Sequence, residues 1–325
     1  MRAFGGLLLL AVLLLQPALA QSENYPSRPI SLVVALAAGT GMDVVARLYA
    51  AKLGQALGKP VIVENKAGGA GLVAVESVLN APADGYTLAA ATSSVMAIRP
   101  SLFKKPPYDP LKDFVPISLY LKSPFILVVD PALPIHSVPD LIKYVKEHPG
   151  QVSFSSSSVG GAPHLSAEYM KQRFGLDMSH VPYKNSPQSI TDVAAGHVSL
   201  AFAEAGVSIP LIKDGKLRAL AVTSLTRLPA LPDVPPFAEA AGVADFESVS
   251  WHVLFAKAST PGDIIARLHS ETARIMSDPD MQKAMTNHGL IPQATQSVEA
   301  TKAYIASEND KWGALVRSLG LAGSI

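Results

Sequence analysis

The chain has 325 residues, 49% of them apolar, and its 27 lysines and arginines nearly balance its 26 aspartates and glutamates, for a formal net charge of +1. No basic stripe of the kind a nucleic-acid partner needs is visible. The absence of cysteine excludes disulfides, thiol catalysis and cysteine metal sites, so stability must come from buried apolar cores.

In chain order, Arg2, an apolar run over residues 7–15 and Ala18-Leu19-Ala20 have the layout of a secretory leader, with cleavage expected after Ala20. The run is shorter than the ~20 residues a spanning helix needs. The roughly 300 residues that follow exceed one ordinary domain, so two are expected. Residues 30–36 read as a buried strand, and 42–57 as a helix with apolar Val44, Val45, Leu48, Leu53 and Leu57 at helical spacing. Residues 60–64 and 86–91 read as further strands, the latter entered by the turn Asp84-Gly85. This alternation predicts βαβ units and a largely parallel sheet. The middle repeats the theme, with strands at 125–129 and 152–155 and helices at 137–147 and 164–174. Strands follow at 198–203, 217–223 and 249–256, with a proline-rich loop at 228–236, and helices at 261–277 and 298–319 close the chain.

The stretch ALAAGTGMDVVARL, residues 35–48, carries Gly39, Thr40 and Gly41 between a strand and a helix. Such a corner aims N–H groups into one space, and the helix dipole adds about half a positive charge there. In an open α/β sheet it lies beyond the carboxyl ends of the strands, where ligands bind. Asp43 falls in the first helical turn, where a carboxylate meets orphan donors. Residues 153–168, SFSSSSVGGAPHLSAE, repeat the arrangement with Ser156, Ser157, Ser158, Gly160, Gly161 and His164. Hydroxyls and N–H groups there offer neutral donors to an anion without burying a cation. Ser93 and Ser94 follow the strand at 86–91, and Tyr183 and Glu204 lie near strand ends in the second half. Gly69-x-Gly71-x-x-Ala74 formally matches a dinucleotide fingerprint, but it lacks the strand-end acid about 20 residues on.

YPSRPISLVV, GKPVIVENKAGGAG, ADGYTLAAAT, YDPLKDFVPIS, HVPYKNSPQSITD and GKLRALAVTSLTRLPALPDVPPFAEAAG carry a more specific signal. Together they resemble the periplasmic solute receptors of tripartite tricarboxylate transporters, the Bug-type receptors, from about residue 25 to the carboxyl end. The resemblance implies a two-lobed α/β periplasmic-binding fold, a clamshell with each lobe a mostly parallel sheet flanked by helices. It puts the chain crossings near Ser123-Pro124 and residues 248–251, so lobe 1 is expected at residues 25–124 plus 249–325. Lobe 2, residues 125–248, is inserted. A small carboxylate ligand, one large and one small integral membrane subunit as partners, a periplasmic monomer and no cofactor or metal are likewise implied.

Against the family pattern, Ala35 and Leu36 stand for Pro-Phe and Thr40 for a second glycine, while Gly39, Gly41 and Asp43 are kept. Gly161 stands where a ligand-binding hydroxyl is usual, and Ala203 followed by Glu204 where an aspartate is common. The expected function is a non-enzymatic receptor. Its rivals are a periplasmic serine hydrolase using residues 155–158 with His164, and an interaction protein for a membrane sensor.

Overall fold

The computed structural model describes residues 25–325 apart from Ser158 and Asp245. The leader and its cleavage position therefore lie outside the described residues. The first elements are β1 (Ile30–Val34), α1 (Gly41–Leu57), β2 (Val61–Asn65), a tight helical turn over Gly68–Gly71, α2 (Leu72–Leu79) and β3 (Thr87–Thr92). A π-helical turn at Ser94–Ile98 leads into α3 (Arg99–Leu102) and the long strand β4 (Phe114–Val129). Then come α4 (Val138–Glu147), β5 (Val152–Ser156), α5 (Ala162–Phe174), β6 (Met178–Pro182), α6 (Ser186–Ala194), β7 (Leu200–Glu204), α7 (Ala205–Lys213), β8 (Arg218–Val222) and α8 (Phe237–Ala241). The chain ends with β9 (Val249–Lys257), α9 (Gly262–Met276), α10 (Pro279–Asn287), β10 (Ile291–Pro292) and α11 (Val298–Ser318).

The strands pair in the order β2-β1-β3-β9-β4-β7-β5-β6, with β10 and β8 added against β4. The outer strands are parallel, β1 with β2 and β3, and β5 with β6 and β7. The inner pairings β3 with β9, β9 with β4, and β4 with β7 are antiparallel. The fold is thus mixed α/β, its parallel units built by helical crossovers. β4 pairs with β9 as far as Pro124 and with β7 and β8 from Phe125 and Ile126 onward, so this one strand belongs to both strand sets.

Sequence periodicity finds only the apolar end of β4. The first part, FVPISLYLKSP, holds two prolines, and its ladder with β9 slips between Pro116 and Ser118 and again between Leu119 and Leu121. Such bulges absorb residues that cannot donate to a ladder. Short polar helices are the other additions: α6 starts at Asn185, whose side chain caps Gln188 N–H, and α10 at Asp278, which caps Asp280 and Met281. α4 begins where its cap chemistry dictates, with Ser137 accepting from Asp140 N–H and Pro139 in the first turn.

One apolar core runs through both strand sets on the face covered by α2, α4, α5 and α11, and includes Val33, Leu102, Phe125, Phe154, Phe202 and Trp251. Separate cores lie on the opposite face, one around Tyr49, Tyr120 and Leu254, the other around Ile126, Ile190 and Val222. Near the β4–β9 crossing, the buried Glu308 of α11 accepts hydrogen bonds from the indole N–H groups of Trp251 (2.8 Å) and Trp312 (2.9 Å). Lys122 of β4 binds Glu247 at 3.2 Å, and Lys311 reaches both Glu308 and the Glu247 carbonyl.

Removing the Glu308 acceptor leaves two buried donors unsatisfied, at about 1–3 kcal/mol each. Glu308→Ala should therefore lower stability by about 2–6 kcal/mol in urea denaturation. Glu308→Gln, which keeps an acceptor oxygen, should lose less. An unchanged midpoint for the alanine variant would contradict the role given to this carboxylate.

Candidate ligand-binding site

The first corner forms where β1 ends and α1 begins. Thr40 caps α1: its hydroxyl accepts from Asp43 N–H (3.3 Å) and donates to the Ala37 carbonyl (3.0 Å). Gly39 adopts φ +83°, a conformation open mainly to glycine, and turns its N–H onto Asp43 Oδ2 at 2.9 Å. Asp43 is buried and also accepts from Arg47 Nε (3.1 Å) and Asn65 Nδ2 (2.9 Å). Burial alone would raise its pKa, but the hydrogen bonds from Gly39, Arg47 and Asn65 hold it below the usual carboxylate range. Asp43 thus braces the loop from behind with its charge already met. The first N–H groups of α1, on Gly41 and Met42, have no partner within the helix. Asn65 and Arg47 are the residues that sequence reasoning missed. The signal for them is a polar strand end, Glu64-Asn65, one strand away from a buried acid.

The second corner lies between β5 and α5. Ser156 is buried, with Oγ 2.7 Å from His180 Nε2. Gly160 N–H donates to His164 Nδ1 at 3.0 Å, and the His164 and His180 rings stack at 4.1 Å beside Phe154. A methyl group on Gly160 would collide with Leu102 of α3, so this loop backs directly onto the first strand set. Gly161 is the residue before α5, and the N–H of Ala162 donates to Ser94 Oγ at 3.1 Å. Ser157 is half-buried at the loop's start, and Ser158 lies outside the described residues.

The end of β3 and the second corner are tied to the strands at the crossing. Ser93, fully buried, donates to Ser250 Oγ (3.2 Å), and Ser166 of α5 shares a 2.6 Å hydrogen bond with Ser248. Ser93 therefore anchors the rim, while Ser94 stands half-exposed on it. Tyr183, after β6, donates its hydroxyl to Asp192 of α6 at 2.6 Å; burial and then this acid push its pKa up to about 12. Glu204 ends β7 opposite Phe125, and burial raises its carboxyl above the usual range. His288, after α10, packs between the starts of α1 and α7. Methyl groups on Gly41 and Gly206 would lie 3.6 Å from its Cβ and 4.0 Å from its carbonyl oxygen.

The arrangement offers backbone N–H groups, hydroxyls and helix N-termini from both strand sets, which suits an anion. It fits hydrolysis less well. The histidine bonded to a serine is His180, not His164, whose Nδ1 is occupied by Gly160 N–H. His180 is drawn down to about 4 by burial and then by His164, a poor pKa for a general base. Among the described residues no cluster of three or more histidine, aspartate or glutamate side chains could hold a metal ion. No described helix is long and apolar enough to cross a membrane.

The fold is that of periplasmic binding proteins, which makes the chain a solute-binding protein by class. The sequence profile of the tripartite tricarboxylate transporter family receptor matches residues 45–321, and the chain belongs to that family. BugT of Bordetella pertussis is 33% identical over 300 residues, covering 92% of this chain and 91% of that protein. The solved structure of R. palustris Rpa4515 with adipate has a TM-score of 0.84 at 32% identity, covering 92% of this chain and 99% of that one. MatC from Rhodopseudomonas palustris with bound malate follows at 0.79 and 27%, covering 90% and 100%.

His164, like His180, is drawn down from the ordinary value near 6.5 to about 4, by burial first and then by Lys171. The unfolded chain takes up these protons near pH 6.5 and the folded chain only near 4. Stability should therefore fall as pH drops from about 6.5 to about 4 and level off below. Melting temperatures across this window should show a shallower slope for His180→Gln than for the unmodified protein. Identical slopes would overturn the assignment.

Proposed function

We propose that the protein is exported, cleaved after Ala20, and captures a small organic carboxylate between two lobes. It then delivers that acid to the large and small membrane subunits of a tripartite tricarboxylate-type transporter, without catalysis. Lobe 1 is residues 25–124 with 249–325 and lobe 2 is residues 125–248, hinged where β4 and β9 run side by side. One observation carries the reading: at the α1 corner the charge of the resident Asp43 is already met by Arg47, Asn65 and Gly39, which leaves the helix start as a donor for an outside anion. Adipate in Rpa4515 and malate in MatC support a carboxylate as the ligand class. Thr40 and Gly41, in the loop that Gly39 shapes, bind one carboxylate through N–H groups and bridging water, which tolerates acids of different length. Ser94, Ser157, Gly160 and Gly161 close the opposite side, while Asp43, Ser93, Ser156, His164 and Tyr183 hold the loops in shape.

The first test is thermal shift across mono-, di- and tricarboxylates, aromatic acids and amino acids. An acid at ~100 times its dissociation constant should add ~2.7 kcal/mol. The second is Gly41→Val, whose branched side chain crowds both the donors and His288. Its affinity for the acid found should fall by more than about tenfold, ~1.4 kcal/mol, with little change in ligand-free melting. Unchanged affinity in a folded variant would place the carboxylate elsewhere. Turnover of a generic ester that is lost in Ser157→Ala would favour the hydrolase instead.

A further inference from the structure

We propose that the segment from Ser94 to Leu102, which belongs to the first strand set, positions the second corner: Ser94 caps α5 from outside, and Leu102 is the stop on which Gly160 rests. The inference rests on reading residues 156–161 as one side of the ligand site. It adds that this side takes shape only against the other strand set.

The segment is braced within its own half of the fold. Val95 seats on Gly71, whose left-handed backbone (φ +95°) leaves no room for a side chain: a Cβ there would overlap Val95 Cγ2. Packing thus accounts for Gly71 without any phosphate. The Tyr108 hydroxyl donates to the Val95 carbonyl in the π-helical turn, and Val95, Met96, Ala97 and Ile98 are all buried. Ser101 of α3 lies against α11 at Gly313, where a Cβ would come within 2.9 Å of Ser101 Oγ. Glycine weakens a helix interior, and the close approach of α3 is what it makes possible here.

The braced segment presents two groups to the second strand set. α5 starts without a cap of its own, because Gly161 stands at the cap position and has no side chain to offer. The hydroxyl that meets its first turn is Ser94 Oγ, which accepts from Ala162 N–H at 3.1 Å. Beside it, Gly160 has a left-handed φ of +70°, and a Cβ on it would overlap Leu102 Cδ1 and stand 3.5 Å from Leu102 Cγ. Leu102 is 3% exposed and belongs to the core that runs through both strand sets. Its own strand set holds Gly160 through His164 Nδ1. The rest of its placement comes from across the crossing. Leu102 carries no group that an anion can use, so any effect it has on binding passes through Gly160.

The first test is amide hydrogen exchange in ligand-free Leu102→Ala, followed at Gly160 and Ala162, whose N–H groups are both hydrogen-bonded. Loop amides exchange by local opening, strand amides of the core by global opening. Exchange at Gly160 and Ala162 should quicken at least about tenfold more than exchange on β5 and β7. Leu102→Met, unbranched but of similar reach, should stay near the unmodified protein. No change at the two amides, or an equal rise at the loop and the strands, overturns the role and leaves Leu102 a core residue. Should Leu102→Ala not fold, Leu102→Val, which shortens the reach, is read in the same way.

The second test is calorimetric titration with adipate, malate, citrate and benzoate. An acid bound by the unmodified protein should bind Leu102→Ala at least about tenfold more weakly, and Leu102→Met nearly as before. Undiminished affinity in the alanine variant overturns the role and leaves the carboxylate reading standing. If none of the four binds the unmodified protein, the carboxylate reading falls, and the exchange result alone decides the role of Leu102.

Discussion

The structure depends on one strand serving two neighbourhoods. β4 is long enough to lie beside β9 along its first part and between β7 and β8 along its second. The end of β3 and the second corner are positioned by that continuity. β3 meets the crossing through Ser93 and Ser250, α5 through Ser166 and Ser248, and β7 through the pairing of Glu204 with Phe125. The linking groups are small hydroxyls at short range, which hold position without filling space.

The site's electrostatics follow a consistent division of labour. The charged groups near the first corner cancel one another behind the loop, in the cluster of Asp43, Arg47 and Asn65. What faces forward is partial charge: helix starts, amides and hydroxyls. The second corner replaces the acid with stacked neutral imidazoles, His164 and His180, which hold Gly160 N–H and Ser156. Hydrogen bonds internal to each corner hold Gly39 and Gly160 in place, so the ligand is left to meet donors that are already oriented. That lowers the ordering cost of binding.

Much of this was legible in the sequence, for identifiable reasons. Strand β1, helix α1 and the Gly39-Thr40-Gly41 corner follow from apolar spacing interrupted by small residues, α4 from the Ser137 cap and proline at its start, and α5 from proline in its first turn. Longer range was the obstacle. Nothing local marks residues 114–124 as strand, because their prolines and serines are tolerated only through bulges against β9. The partners of buried polar groups were equally hidden. His180 rather than His164 meets Ser156, because β6 pairs in register with β5, and Asn65 meets Asp43 because β2 pairs with β1. His288 enters the site from a helix more than 240 residues beyond the α1 corner it touches, a distance no motif spans.

The Trp251–Glu308–Trp312 cluster has a consequence of a different kind. The chain contains two tryptophans, and both donate to the same carboxylate next to the crossing strands. Indole emission is quenched and shifted by the groups that surround the ring. The protein's entire tryptophan fluorescence therefore originates from a single spot where α11 meets β9. Its emission reports how α11 packs against β9 at that one spot, beside the Lys122–Glu247 pair, with no added label.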